Sequence, residues 1–138
     1  MIAIIRISGL VEVPRGVQEA LFRIHLRRKY NATLMQDTPM TRAVLKKIRN
    51  FVAYGAIDKE TLAALLAARA KPLGGKKIDP VTVAAQLDKR SLQELGLKPY
   101  FSLHPPRGGI DSKIHFPVRD GVLGDNKEKI NDLIRRML

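Results

Sequence analysis

Hydrophobic positions along the chain alternate between extended and helical spacing, and each change of period marks an element. Residues 1–8 carry Ile2, Ile4, Ile5 and Ile7, β-branched side chains suited to a strand, before Ser8-Gly9 breaks the run. From Pro14 to Arg28 the apolar stripe Val17, Leu21, Ile24 and the polar stripe Arg15, Glu19, Arg23, Arg27 fit an amphipathic helix that ends in Arg27-Arg28-Lys29. Ala32 to Gln36 reads as a short strand. Thr38 can cap a helix whose first position is Pro39, where the missing N–H costs nothing. In that helix Met40, Val44, Ile48 and Phe51 are expected to face a core, with Arg42, Lys46, Arg49 and nearby Lys47 outside. A third strand follows around Phe51–Ala56.

Strand, helix, strand, helix, strand within about 56 residues predicts an α+β fold. It is a two-layer, three-stranded sheet with two helices on one face. The other face is left to solvent, a partner or the rest of the chain. Residues 1–57 are expected to form this β-α-β-α-β core domain. Residues 58–138 form a helical extension, with a basic Gly/Pro loop and a terminal helix packed on the core.

Within the extension, Asp58 is a plausible cap for a helix carrying Leu62, Leu65, Leu66 and Ala67–Ala68 up to Arg69. Residues 71–77 cannot continue that helix and leave Lys76 and Lys77 in a loop. Asp79-Pro80 opens a further helix with Val81, Ala84, Ala85 and Leu87, and the spacing Ser91 to Glu94 suggests one more turn before Gly96. Residues 100–119 lack helical period and read as a shaped loop. There Arg107-Gly108-Gly109 would let backbone approach a phosphate, and His104, Lys113, His115 and Arg119 add donors. A capping-box start at Gly124–Glu128 and the stripe Ile130, Leu133, Ile134, Met137 predict the terminal helix.

Charge turns this outline toward function. The chain has 138 residues, 45% of them hydrophobic, with 25 Lys and Arg against 13 acids and a formal net charge of +12. Between Pro14 and Asn50 nine cations (Arg15, Arg23, Arg27, Arg28, Lys29, Arg42, Lys46, Lys47, Arg49) face only Glu19 and Asp37. More than half of the net charge thus lies in about a quarter of the chain, as a polyanionic partner would require. A charged outer face of one helix is ordinarily just solvated. The neighbouring basic helix and the local excess of +7 make nucleic acid the first candidate partner.

The chemistry of an enzyme is scarce. With no cysteine, disulfides, thiolate zinc sites and cysteine nucleophiles are excluded. The histidines His25, His104 and His115 lack metal-binding spacing, and neither GxGxxG nor GxxxxGK[ST] occurs. Gly74-Gly75-Lys76-Lys77 lacks the leading glycine and the trailing hydroxyl of a phosphate loop. No cofactor or metal is expected. No apolar run approaches the roughly 20 residues that span a bilayer, and Met1–Ile7 is too short for a secretory signal. The expectation is a cytoplasmic protein without a membrane partner.

Two segments resemble the L-thirty family of large-subunit ribosomal proteins, whose eukaryotic counterpart is L-seven. The first is the Gln36-Asp37-Thr38-Pro39 entry with its basic helix and the Phe51-Val52 strand, preceded by the opening strand and the helix from Pro14. The second comprises Gly108-Gly109, Lys113-Ile114-His115-Phe116, Gly124-Asp125-Asn126-Lys127-Glu128, Ile130-Asn131 and Leu133-Ile134-Arg135-Arg136-Met137. Together they span nearly the whole chain. The resemblance implies a ferredoxin-like relative in its archaeal-type long form, without the basic N-terminal extension of the eukaryotic members. It further implies a monomer within the ribosome that binds large-subunit rRNA beside neighbouring ribosomal proteins, in translation, without catalysis.

The residues expected to meet RNA are Arg15, Arg23, Arg27, Arg28, Lys29, Arg42, Lys46, Lys47, Arg49, Lys76, Lys77, Arg107, Lys113 and Arg119. Their role is to position phosphates rather than to read bases. Tyr30, Phe101 and Phe116 are candidates for stacking on single unpaired bases. Two other readings use the same cations: an RNA-binding regulator outside the ribosome, and an RNA-processing enzyme, which would need His104 or His115 beside a carboxylate.

Overall fold

The computed structural model describes residues 2–7, 14–69, 83, 100–105, 112–115 and 121–137, with the backbone alone at 112–115, 121, 122, 125 and 127. Strands β1 (Ile2–Arg6), β2 (Asn31–Met35) and β3 (Val52–Ala56) alternate with helices α1 (Arg15–Arg23) and α2 (Pro39–Ile48). Helix α3 (Lys59–Arg69) follows. Strands β4 (Phe101–Ser102), β5 (Ser112–His115) and β6 (Gly121–Asp125), a short 3-10 turn at Lys127–Lys129 and helix α4 (Ile130–Met137) complete the described elements.

The α+β core is the one expected, but its sheet is wider. Six strands lie in the order β4-β2-β1-β3-β6-β5. Central β1 runs antiparallel to both β2 and β3, Ile4 standing opposite Thr33 on one side and Tyr54 on the other. The segment 100–119, read as loop throughout, supplies β4 and β5. Strand β4 adds two antiparallel residues beside β2, and β5 runs parallel to β6, which is itself parallel to β3. Runs this short carry too little period to show in a segment interrupted by paired prolines and paired glycines.

Two apolar clusters sit on opposite faces of the sheet. Ala3, Ile5 and Ile7 of the first strand segment pack with Leu62, Leu65 and Leu66 of α3 and Ile130, Leu133, Ile134 and Met137 of α4. Ile4 packs with Val17 and Leu21 of α1, Leu45 and Ile48 of α2, and Leu26 and Val52. The pleat sends odd and even residues of β1 to opposite sides, so a strand covered on both reads as a nearly unbroken apolar run. The face that sequence left open is filled by the rest of the chain, chiefly α3 and α4.

Several joints hold this sandwich. Asp58 caps α3, its Oδ1 accepting from Thr61 N at 2.6 Å. Asn131, buried at the start of α4, accepts from Asp58 N at 3.0 Å and donates through Nδ2 to Glu128 O at 2.9 Å and Ala56 O at 3.3 Å. One side chain thus ties the end of β3, the start of α3 and the start of α4. Where the sequence predicts a capping-box helix start at Gly124–Glu128, Gly124 and Asp125 end β6 and a 3-10 turn follows at Lys127–Lys129, with no side-chain cap bond from Asn126. Buried Asn126 turns its Nδ2 back to Gly124 O at 3.1 Å, and Gly124 adopts φ 84°, a conformation glycine reaches without steric cost. The helix proper begins only at Ile130. The helix expected after Asp79 lies outside the described residues, apart from a buried, helical Val83.

Candidate nucleic-acid interface

The entry to α2 is built as its sequence requires. Thr38 is extended, its Oγ1 accepts from Thr41 N at 3.2 Å, and Pro39 takes the first helical position. The buried stripe, however, is Thr41, Leu45 and Ile48 with Val44 at its edge, while Met40, expected inside, is 82% exposed. Thr41 can take the inward place because its hydroxyl lies 2.9 Å from that of Thr38 and is satisfied there. Positions 41, 45 and 48 then follow the helical repeat, and Met40 falls outside it.

Helix α1 stops at Arg23, well short of Arg28. His25 sits at φ 66°, its N–H donating to Phe22 O at 3.1 Å, and Leu26 N donates to Leu21 O at 2.9 Å. This is a Schellman termination with histidine in the left-handed position usually held by glycine, closed by the apolar pair Leu21 and Leu26 in one cluster. The terminal loop is pinned from below by Arg6. That arginine of β1 is fully buried, and its Nη1 donates to Leu26 O at 2.8 Å. Burial lowers its pKa, yet a guanidinium remains a cation at neutral pH. Arg27, Arg28 and Lys29 therefore lie on a fixed loop rather than on the last helical turn. Tyr30, also left-handed at φ 66°, returns the chain to the sheet, donating from N to Arg6 O at 2.7 Å.

Since α1 and α2 cover the same face, their outward cations point away from the same side of the sheet. Arg15, Arg23, Arg27, Arg28, Lys29, Arg42, Lys46, Lys47 and Arg49 are all exposed. A Cβ added at Gly16 would stand 3.8 Å from Lys47 Cε and Nζ, so the end of α2 crosses the start of α1. Both acids of this stretch are committed. Asp37 binds Arg42 through two bonds, Nε to Oδ1 at 2.7 Å and Nη2 to Oδ2 at 2.8 Å, and Glu19 lies 3.5 Å from Arg15. The hydrogen bonds from Arg42 hold the Asp37 carboxyl below the usual carboxylate range. Among the described residues, the other seven cations of this face have no carboxylate within 4.0 Å.

The opposite face differs. Lys59, Arg69, Lys129, Arg135 and Arg136 are interspersed with Asp58, Glu60, Glu128 and Asp132, and Arg135 lies 3.8 Å from Glu60. Among the described residues, charge is nearly balanced there and strongly positive across the sheet.

Of the remaining candidates, Lys76, Lys77, Arg107 and Arg119 lie outside the described residues, as do Gly108, Gly109 and Phe116. Lys113 falls on β5 rather than in a loop. Phe101 is buried at 1% exposure and cannot stack on a base. Tyr30 is half-buried, with the Lys29 ammonium 5.0 Å from its ring centroid. Sequence reasoning passed over Phe22, which is exposed under the Arg27 guanidinium at 5.8 Å. It also placed no charge in the core, where Arg6 lies. His25 and His104 have no carboxylate within 4.0 Å among the described residues. Those residues also contain no cluster of three or more His, Asp or Glu fit for a metal, and no helix long and apolar enough to cross a membrane.

Fold and charge together define a class: a small, basic, ferredoxin-like α+β protein whose described residues concentrate positive charge on one side of the sheet. No family model matches the chain. It is 38% identical over 153 residues to large ribosomal subunit protein uL30 of Archaeoglobus fulgidus, with 99% of each chain covered. It is 35% identical over 155 residues to that of Aeropyrum pernix, covering 99% of this chain and 98% of the relative. To the uL30 of Methanobrevibacter smithii it is 33% identical over 153 residues, covering the whole of both. The chain belongs to the uL30 family of large ribosomal subunit proteins, in its archaeal form.

Proposed function

We propose that this protein is a structural constituent of the cytoplasmic large ribosomal subunit, not an enzyme, and that its α1/α2 face binds folded large-subunit rRNA. The observation that carries the reading is the contrast, among the described residues, between the two faces of one sheet, one with seven cations that have no carboxylate within 4.0 Å and the other nearly neutral. Arg23, Arg27, Arg28 and Lys29 at the end of α1, with Lys46, Lys47 and Arg49 at the end of α2, are the principal phosphate ligands. Arg15 and Arg42 take part after exchanging their carboxylates for phosphate. Lys76, Lys77, Arg107, Lys113 and Arg119 extend the set along the chain. Neighbouring ribosomal proteins complete its surroundings.

A-form RNA hides its base edges in a deep, narrow major groove, so a rigid array of cations recognises chiefly the shape and spacing of phosphates. Each neutralised phosphate releases bound counterions, and affinity then falls with salt. Binding to large-subunit rRNA is expected to give a log–log salt slope of roughly −0.7 to −0.9 per phosphate, so about −5 to −6 when seven cations engage. Affinity measured across a salt series tests this. A salt-independent affinity contradicts the reading.

A further inference from the structure

The end of α1 offers a ring as well as charge. Val17 and Leu21 turn inward, and Phe22, one residue and a third of a turn further on, is carried outward to 42% exposure. A single exposed apolar side chain needs no explanation of its own. Here, however, the Arg27 guanidinium sits 5.8 Å from the ring centroid, and Arg23, Arg28 and Lys29 stand within seven residues without carboxylate partners among the described residues. The left-handed turn at His25 and the bond from buried Arg6 to Leu26 fix this loop, so ring and cations are ordered before any partner arrives.

We infer that this corner takes one unpaired RNA nucleotide, its base stacked on Phe22 and its flanking phosphates against Arg27, Arg28 and Lys29. The inference rests on the rRNA-binding reading and narrows it. Within a duplex both faces of each base are covered by neighbours, so an exposed ring finds a partner only at a bulge, loop or end. Arginine beside the ring favours the same guest, because a guanidinium both stacks on π faces and forks toward phosphate oxygens. Phosphate contacts alone would align the protein on any A-form segment. The ring ties it to a place where the helix is interrupted.

Binding of the full chain to large-subunit rRNA across a salt series separates the two claims, using wild type, Phe22→Leu, Phe22→Tyr and the pair Lys46→Glu with Lys47→Glu. Phe22→Leu keeps an apolar side chain without a π face. It is expected to weaken binding by about 5- to 150-fold at unchanged salt slope, while Phe22→Tyr binds as wild type does. Leucine binding like wild type, or tyrosine as weak as leucine, overturns the stacking site while the lysine pair still reports on rRNA binding. A wild-type affinity indifferent to both salt and the lysine reversals overturns the rRNA reading and the stacking site with it.

Discussion

On the proposed RNA face, Asp37 competes with phosphate for Arg42. Its carboxylate takes two hydrogen bonds from that guanidinium, which lower its pKa from the ordinary 3.8. A depressed folded-state pKa means that the pair's contribution is fully present above that ordinary value and is lost as pH falls through the folded one. Asp37→Asn is therefore expected to flatten the dependence of melting temperature on pH below about 4, and to strengthen rRNA binding about two- to fivefold at low salt by releasing Arg42. Melting between pH 2 and 6, with affinity at neutral pH, checks both. An affinity that falls in Asp37→Asn would show that the pair orients Arg42 for phosphate rather than withholding it. The type and number of charges at this face are plain in the sequence. Which acid meets which cation is not, because Asp37 precedes the helix and reaches Arg42 only once Thr38 has set the cap.

At the scale of elements, periodicity locates helices well and their ends poorly. Arg27 keeps the spacing of Arg15, Glu19 and Arg23, yet α1 has already ended, since the closing signal is a histidine at φ 66° where glycine is the usual mark. A left-handed conformation costs an L-residue roughly 1–2 kcal/mol, part of which glycine returns as greater freedom in the unfolded chain. His25→Gly is expected to raise the melting temperature by about 2–4 °C, and His25→Val to lower it by a similar amount or more. Thermal melts of the two proteins decide the matter. A destabilised glycine variant would mean that the histidine side chain itself holds the loop. The same limit explains β4 and β5, too short for any period, and the helix start expected at Gly124–Glu128, where β6 ends and a 3-10 turn precedes the helix at Ile130. By contrast α2, α3 and α4 were legible, because Thr38, Asp58 and the stripe Ile130, Leu133, Ile134, Met137 state their positions through local chemistry.

For the molecule as a whole, the sheet acts as a divider. Helices α3 and α4 bury the side that the first two helices leave open, and among the described residues the excess of positive charge lies on the other. Net charge alone suggests a polyanion; the sandwich supports the proposal that it lies on the α1/α2 side. The most direct test compares two triple reversals that change net charge equally, Lys46, Lys47 and Arg49 to Glu on the α1/α2 face and Lys59, Lys129 and Arg136 to Glu on the other. Both are measured for affinity to large-subunit rRNA near 0.1 M salt, alongside a thermal melt. The first is expected to lose roughly 100-fold or more and about three units of salt slope while still melting cooperatively, the second only a few-fold. Equal losses from the two faces, or a larger loss from the second, would contradict the assignment of the α1/α2 face to RNA.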